Sequence, residues 1–192
     1  KYTRKNLLQP SWFIVYFMIL KIMRKLIAGF AASLDGYITG PRGEYDWILV
    51  NEEIDFAEMA KRYDTYFYGK KTYEDMLKMG SSAFPSTHKH YVFSTTLSGI
   101  QFNCILVNNN IKKTVISIKE QEGKDISLFG GASLLASMLD MKLVDEIEIS
   151  IIPVLLGQGK PMVDVLSAKV WLDLVSYKRY ENGTVSLKYL IK

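Results

Sequence analysis

From position 26 onward, apolar and polar residues fall into short blocks that alternate between a strand-like and a helix-like period. Residues 26–31 form an apolar run that ends in the polar turn Ser33-Leu34-Asp35-Gly36 and passes into a loop punctuated by Gly40-Pro41-Arg42-Gly43. A short apolar run bounded by turn residues predicts a buried strand. Asn51 is suited to cap a helix with Glu52 and Glu53 in its first turn, and Phe56, Met59, Ala60 and Tyr63 keep helical spacing behind it. Tyr66-Phe67-Tyr68 predicts a second buried strand, which Gly69 turns into a helix reaching Met79. Tyr91-Val92-Phe93 predicts a third, ending in the hydroxyl cluster Ser94-Thr95-Thr96.

Residues 112–122 read as a surface helix, and Ile126-Ser127-Leu128-Phe129 as a further strand running into Gly130-Gly131. A helix over 132–141 then gathers Leu134, Leu135, Met138 and Leu139 on one face, followed by a strand over 144–153. Two alternating runs, 171–180 and 185–191, flank Asn182-Gly183, a pair favoured in two-residue type I′ hairpin turns. Alternating strands and helices predict an α/β domain, and the terminal hairpin means that its sheet is not purely parallel. No linker or repeat divides residues 25–192.

Composition narrows the classes. A chain of 192 residues that is 48% hydrophobic and 23% charged can bury one sizeable core and is neither disordered nor collagen-like. The lone Cys104 forms no internal disulfide, which points to a reducing compartment and a cytoplasmic location. The net charge of +4 is misleading, because Lys1, Arg4, Lys5, Lys21, Arg24 and Lys25 all precede position 26 with no acid among them. Without those six, 18 basic residues face 20 acidic ones, a net charge of −2, so no nucleic-acid partner is expected.

The apolar run at 12–20 is nine residues long, about 13 Å of helix against a hydrocarbon core of about 30 Å, and no small-residue cleavage site follows it. The folded domain is therefore expected over 23–192, beginning near Met23, with 1–22 as an extension outside it. An interfacial membrane anchor is the alternative reading of that segment.

Two segments carry candidate chemistry. In Leu128-Phe129-Gly130-Gly131-Ala132-Ser133, a strand delivers a glycine pair to a helix start, where free backbone N–H groups attract phosphate. A plain tight turn explains the same residues, since a full G-x-G-x-x-G is absent. Tyr68-Gly69-Lys70-Lys71-Thr72 repeats the shape with two ammonium groups and a hydroxyl, and Ser94-Thr95-Thr96 adds hydroxyls nearby. Two phosphate-competent helix starts in one small domain fit a dinucleotide. His88 and His90 read as a loop-to-strand surface, and two His with one Cys supply no zinc signature and no metal site.

These segments lie in order with Lys25-Leu26-Ile27-Ala28-Gly29-Phe30-Ala31-Ala32-Ser33-Leu34-Asp35-Gly36-Tyr37-Ile38 and Pro153-Val154-Leu155-Leu156-Gly157-Gln158-Gly159. Together they resemble the dihydrofolate reductase-like family, most nearly the bacterial proteins similar to the C-terminal reductase domain of the bifunctional riboflavin-biosynthesis deaminase/reductase. The resemblance implies a three-layer α/β fold with a mixed, mostly parallel central sheet, NADPH as cofactor, and a homodimer. It implies that Gly69, Lys70, Lys71 and Thr72 hold cofactor phosphates, with Lys70 or Lys71 and Ser94 and Thr95 near the 2′-phosphate, and that Gly130, Gly131, Ala132 and Ser133 cradle the pyrophosphate. Ala32 and Asp35 would border the nicotinamide, and the 40–47 loop with Trp47 would close over it.

On the substrate side the resemblance implies a carboxylate on the helix after the loop tryptophan, for which Glu52 or Asp55 is the candidate proton source. Acids in a capped first turn are also stabilised by the helix dipole alone. The riboflavin-pathway reductases carry Asp-Asp-Pro after the second helix start and Glu for the first glycine of the phosphate turn. This chain has Glu74-Asp75-Met76 and Gly130 there. The implied substrate is 5-amino-6-(5-phosphoribosylamino)uracil or a pterin/dihydrofolate. A noncatalytic NADP(H)-binding or sensor protein is the alternative, and a membrane-associated interaction protein a third reading that depends on residues 11–20.

Overall fold

The computed structural model describes residues 23–49 and 56–192. In chain order it holds β1 (Leu26–Ser33), β2 (Tyr37–Thr39), α1 (Phe56–Ala60), β3 (Tyr63–Gly69), α2 (Lys70–Leu77), a 3-10 turn (Ser81–Ala83), β4 (Lys89–Phe93) and β5 (Cys104–Val107). There follow α3 (Ile111–Lys119), β6 (Asp125–Gly130), α4 (Ala132–Asp140), β7 (Glu146–Ile152), β8 (Lys160–Pro161), β9 (Leu172–Arg179) and β10 (Val185–Ile191). Eight strands form one sheet in the order β5-β4-β3-β6-β1-β7-β10-β9. The first six run parallel, and β10 is antiparallel to both β7 and β9. The sheet is thus mixed and mostly parallel with an antiparallel C-terminal hairpin.

Side-chain alternation along β3 creates three layers. Phe67 joins a core with Val115 and Ile118 of α3 and Leu134, Leu135 and Met138 of α4, whereas its neighbour Tyr68 packs with Tyr73 of α2, Phe84 and Val92. Successive strand residues point to opposite faces, so α3 and α4 cover one face and α2 the other. The apolar face expected for α4 is buried throughout. Phe67 is fully buried, and its truncation to Ala would cost about 3–5 kcal/mol through lost transfer energy and the cavity left behind.

Several elements depart from the pattern. Tyr63 starts β3 rather than ending a helix; α1 stops at Ala60, and Tyr63 pairs with Asp125 across the sheet and is buried. The cap Asn51 and the acids Glu52, Glu53 and Asp55 lie outside the described residues. The short edge strand β5 and the ribbon β2–β8 span too few residues to show a period. Helix α3 is not a plain surface helix, since Val115, Ile118 and Lys119 are buried, with Lys119 Nζ donating to Leu143 O (3.1 Å) and Asp145 Oδ2 (2.7 Å).

His90 is not at the surface either. It is buried in a cluster with Tyr66 and Tyr68, its Nδ1 lies 3.1 Å from Tyr68 Oη, and its Nε2 lies 3.0 Å from Pro85 O. Burial lowers its pKa, so the neutral ring is favoured. In the C-terminal hairpin Gly183 is left-handed (φ 83°) but Asn182 is not, and Tyr180 N–H donates to Thr184 O (2.9 Å) while Gly183 N–H donates to Tyr180 O (3.1 Å). The turn is a three-residue loop with a left-handed glycine, not type I′.

Candidate functional site

Parallel strands bring their C-terminal ends to one edge, and there both glycine turns meet. β3 and β6 are neighbours with Tyr68 opposite Gly130. A Cβ placed on Gly69 would stand 3.6 Å from both Gly130 O and Gly131 N, so a single methyl group would fill the gap between the two turns. Gly69 starts α2 and Gly131 starts α4, and neither helix has a side-chain cap. Their first N–H groups remain available to an anion, with the positive end of each helix behind them.

The space over Gly131 is shaped. A Cβ there would come within 2.9 Å of Lys160 Nζ and 3.3 Å of Thr72 Oγ1, so an ammonium and a hydroxyl flank a point that only the missing side chain leaves open. Gly130 adopts φ 122°, where a side chain would be strained. This cradle fits a phosphate group. Ser133, expected to line it, instead donates its hydroxyl to Asp164 Oδ2 (2.7 Å), and Val165 N–H donates to Asp164 Oδ1 (2.9 Å). The Ser133 bond first, then the Val165 N–H and the charges of Lys160 and Lys71, hold the Asp164 carboxyl below the usual range.

The adjacent lysines separate. Lys70 Nζ reaches Thr96 Oγ1 (3.2 Å) at the end of β4, with Glu74 Oε1 at 3.9 Å. Ser94 Oγ accepts the N–H groups of Thr96 (3.2 Å) and Leu97 (3.1 Å), which shapes this turn, and Thr95 beside it is exposed. Lys71 is exposed and acts electrostatically on Asp164. One cation therefore serves a hydroxyl cluster on one side of β3, and its neighbour the α4 side.

Next to Gly130-Gly131 an apolar crevice is lined by Ala28, Phe30, Ile38, Leu135 and Met162. Ala32 is fully buried at the end of β1, and Phe30 on the same strand lines the crevice. Asp35 is occupied as a structural acceptor. Its carboxylate takes hydrogen bonds from Ser33 Oγ (2.7 Å), Gly157 N–H (2.7 Å) and Leu156 N–H (3.1 Å). The Ser33 bond first, then those backbone bonds, lower its pKa, so it holds the 156–157 turn and is ionised rather than a proton donor at neutral pH.

Trp47 donates Nε1–H to Glu44 O (3.3 Å) and lines an open hollow of about 560 Å³ with Arg42, Glu44, Asp46, Leu156 and Gln158. The carboxylate candidates Glu52 and Asp55 lie outside the described residues. Lys160 and Asp164 escaped the sequence analysis because nothing local ties them to a turn some 30 positions earlier; the fold alone brings them there.

Residues 24–186 match the RibD C-terminal domain family. The uncharacterised Bacillus subtilis protein YyaP is 34% identical over 177 residues, covering 86% of this chain and 94% of its own length. A Shewanella sp. PV-4 protein provisionally assigned to riboflavin biosynthesis superposes with a TM-score of 0.77 at 23% identity, over 88% of this chain and 99% of that one. Dihydrofolate reductase of Enterococcus faecalis, solved in complex with NADP(H), superposes with a TM-score of 0.65 at 16% identity, over 88% and 96%.

Proposed function

The chain belongs to the RibD C-terminal domain family, and from that premise we propose that it is an NADPH-dependent reductase of a small heterocycle. The observation that carries this reading is the pair of adjacent, uncapped glycine turns with Lys70 on one side and Thr72 and Lys160 on the other. A dinucleotide with an extra ribose phosphate needs two separate anion-binding anchors, and the two turns with their lysines are suited to that role. In this reading Gly69, Thr72, Gly130, Gly131 and the start of α4 hold the pyrophosphate. Lys70, with Thr96, Ser94 and Thr95, takes the 2′-phosphate, which is the preference for NADPH over NADH.

When bound, the dihydronicotinamide supplies a hydride. The chain's own residues bind and orient it, and Phe30, Ile38 and Met162 beside Gly131 offer the ring an apolar wall. Asp35 is a positioning residue that fixes the 156–157 turn against β1. Reduction of a C=N or C=O bond also needs a proton at the partner atom, and Glu52 is the proposed source because Asp35 is ionised and occupied. The substrate class is the riboflavin-pathway 5-amino-6-(5-phosphoribosylamino)uracil or a pterin/dihydrofolate, admitted through the hollow beside Trp47.

Cofactor oxidation with these two classes is the test. Turnover with either supports the reductase; tight NADPH binding with no turnover of any heterocycle favours the noncatalytic NADP(H)-binding or sensor reading. If Glu52 supplies the proton, Glu52→Gln lowers turnover about 10²-fold or more with NADPH affinity unchanged. Unchanged turnover returns Glu52 to a helix-start role.

Homodimerisation belongs to the same proposal. β9 is an edge strand whose side chains are exposed along almost its whole length, with Leu174 52% and Tyr177 73% exposed and Trp171, just before it, 66% exposed. An apolar, unpaired edge of this kind suits a second copy.

A further inference from the structure

We propose that Lys160 is a ligand of the dinucleotide pyrophosphate; the inference rests on the NADPH reading above and adds a residue to it. The backbone places this lysine before any ligand arrives. Gly159 runs so close to β2 that a Cβ on it would stand 2.1 Å from Thr39 O, an approach open only to glycine, and Thr39 pairs with Lys160 in the β2–β8 ribbon. From that fixed exit the side chain crosses to α4 and sets Nζ 2.9 Å from the point a Gly131 Cβ would occupy. Thr72 Oγ1 stands 3.3 Å from the same point. Donors from two distant elements thus converge over bare glycine backbone at an uncapped helix start.

The charges around this point support a phosphate ligand. Lys160 makes no ion pair among the described residues, although its charge acts on Asp164. Asp164, held by Ser133 Oγ and Val165 N–H, is a negative group beside the cradle, and left alone it would repel a pyrophosphate. Lys160 and Lys71 offset it. The site also lies on the opposite side of β3 from the Lys70–Thr96 cluster, so Lys160 serves the phosphates that NADPH and NADH share.

The test is calorimetric titration of the full chain and its Lys160→Ala, Lys160→Gln and Lys160→Arg variants with NADPH, NADH and adenosine 2′-monophosphate. Loss of one charge-assisted contact raises the Kd of NADPH and of NADH together, by about tenfold or more, in the Ala and Gln variants. Lys160→Arg recovers most of the affinity, and adenosine 2′-monophosphate, which lacks the pyrophosphate, binds all four proteins alike. Unchanged thermal midpoints keep the effect apart from misfolding, and should Lys160→Ala fail to fold, Lys160→Gln decides. Wild-type affinity for both dinucleotides in a folded neutral variant overturns the assignment, as does a loss confined to NADPH. An unsubstituted chain that binds neither dinucleotide overturns the NADPH reading itself.

Discussion

Lys70 and Lys71 are adjacent in sequence and work on opposite sides of β3, which divides what a sequence pattern treats as one basic pair. Lys70→Ala is predicted to weaken NADPH by about 1–3 kcal/mol and to leave NADH unchanged, read from the two dissociation constants. Equal losses would remove the 2′-phosphate role. Asp35 gives a second residue-scale prediction. Its folded pKa is depressed, so its hold on Leu156 and Gly157 is present above the ordinary carboxylate pKa and is lost as pH falls through the folded value. The amide resonances of Leu156 and Gly157 should titrate with a midpoint below that of a free aspartate, and Asp35→Asn should abolish the titration. Single residues were the least legible in sequence. His90 reads as surface from its neighbours, yet it lies buried beside two tyrosines because β4 is covered by strands on both sides; Lys160 has no local signal at all.

Elements were more legible where one face decides them. The Leu134, Leu135, Met138 and Leu139 stripe made α4 readable, because a helix over a sheet must bury one face. The β2–β8 ribbon and the edge strand β5 are set by tertiary pairing, and their few residues carry no period of their own. Tyr63 kept helical spacing by coincidence, and cross-sheet pairing with β6 outweighed it. The glycine pair is the element-scale test. Gly131 has an ordinary φ, and a Cβ there meets only a lysine tip and a hydroxyl that can yield, so Gly131→Ala should fold with its thermal midpoint nearly unchanged. The methyl fills the cradle, and NADPH and NADH affinity should each fall about tenfold or more. Intact affinity would mean that the turn is only a turn.

For the whole molecule, the mixed sheet is tied across its parallel-to-antiparallel join by ion pairs around one buried carboxylate. Glu146 on β7 is 1% exposed, ion-paired to Lys25 at the foot of β1 and, at 2.6 Å, to Lys188 on β10. Burial acts to raise its pKa, but the ammonium groups of Lys188 and Lys25 outweigh this and hold it below the usual range. Its two ammonium partners already reach solvent, so Glu146→Ala leaves no buried charge behind and should cost about 1–3 kcal/mol in denaturant unfolding through the lost charge-assisted bonds. With a depressed folded pKa, the contribution of Glu146 is complete above the unfolded carboxylate value and disappears as pH falls through the folded one.

The α/β class and terminal hairpin were readable from alternation; which strand pairs with which was not, because pairing is set by contacts distant in sequence. At this scale the proposed dimer is tested by sedimentation. The full chain should run as a dimer, and Trp171→Glu with Tyr177→Glu as a monomer.

Nucleotide binding by the whole chain tests the NADPH reading most directly. Titration with NADPH and with NADH, followed by intrinsic tryptophan fluorescence and thermal shift, should give saturable binding of both with clear selectivity for NADPH. Binding of neither would contradict the account, and the two glycine turns would then be structural corners of the sheet edge.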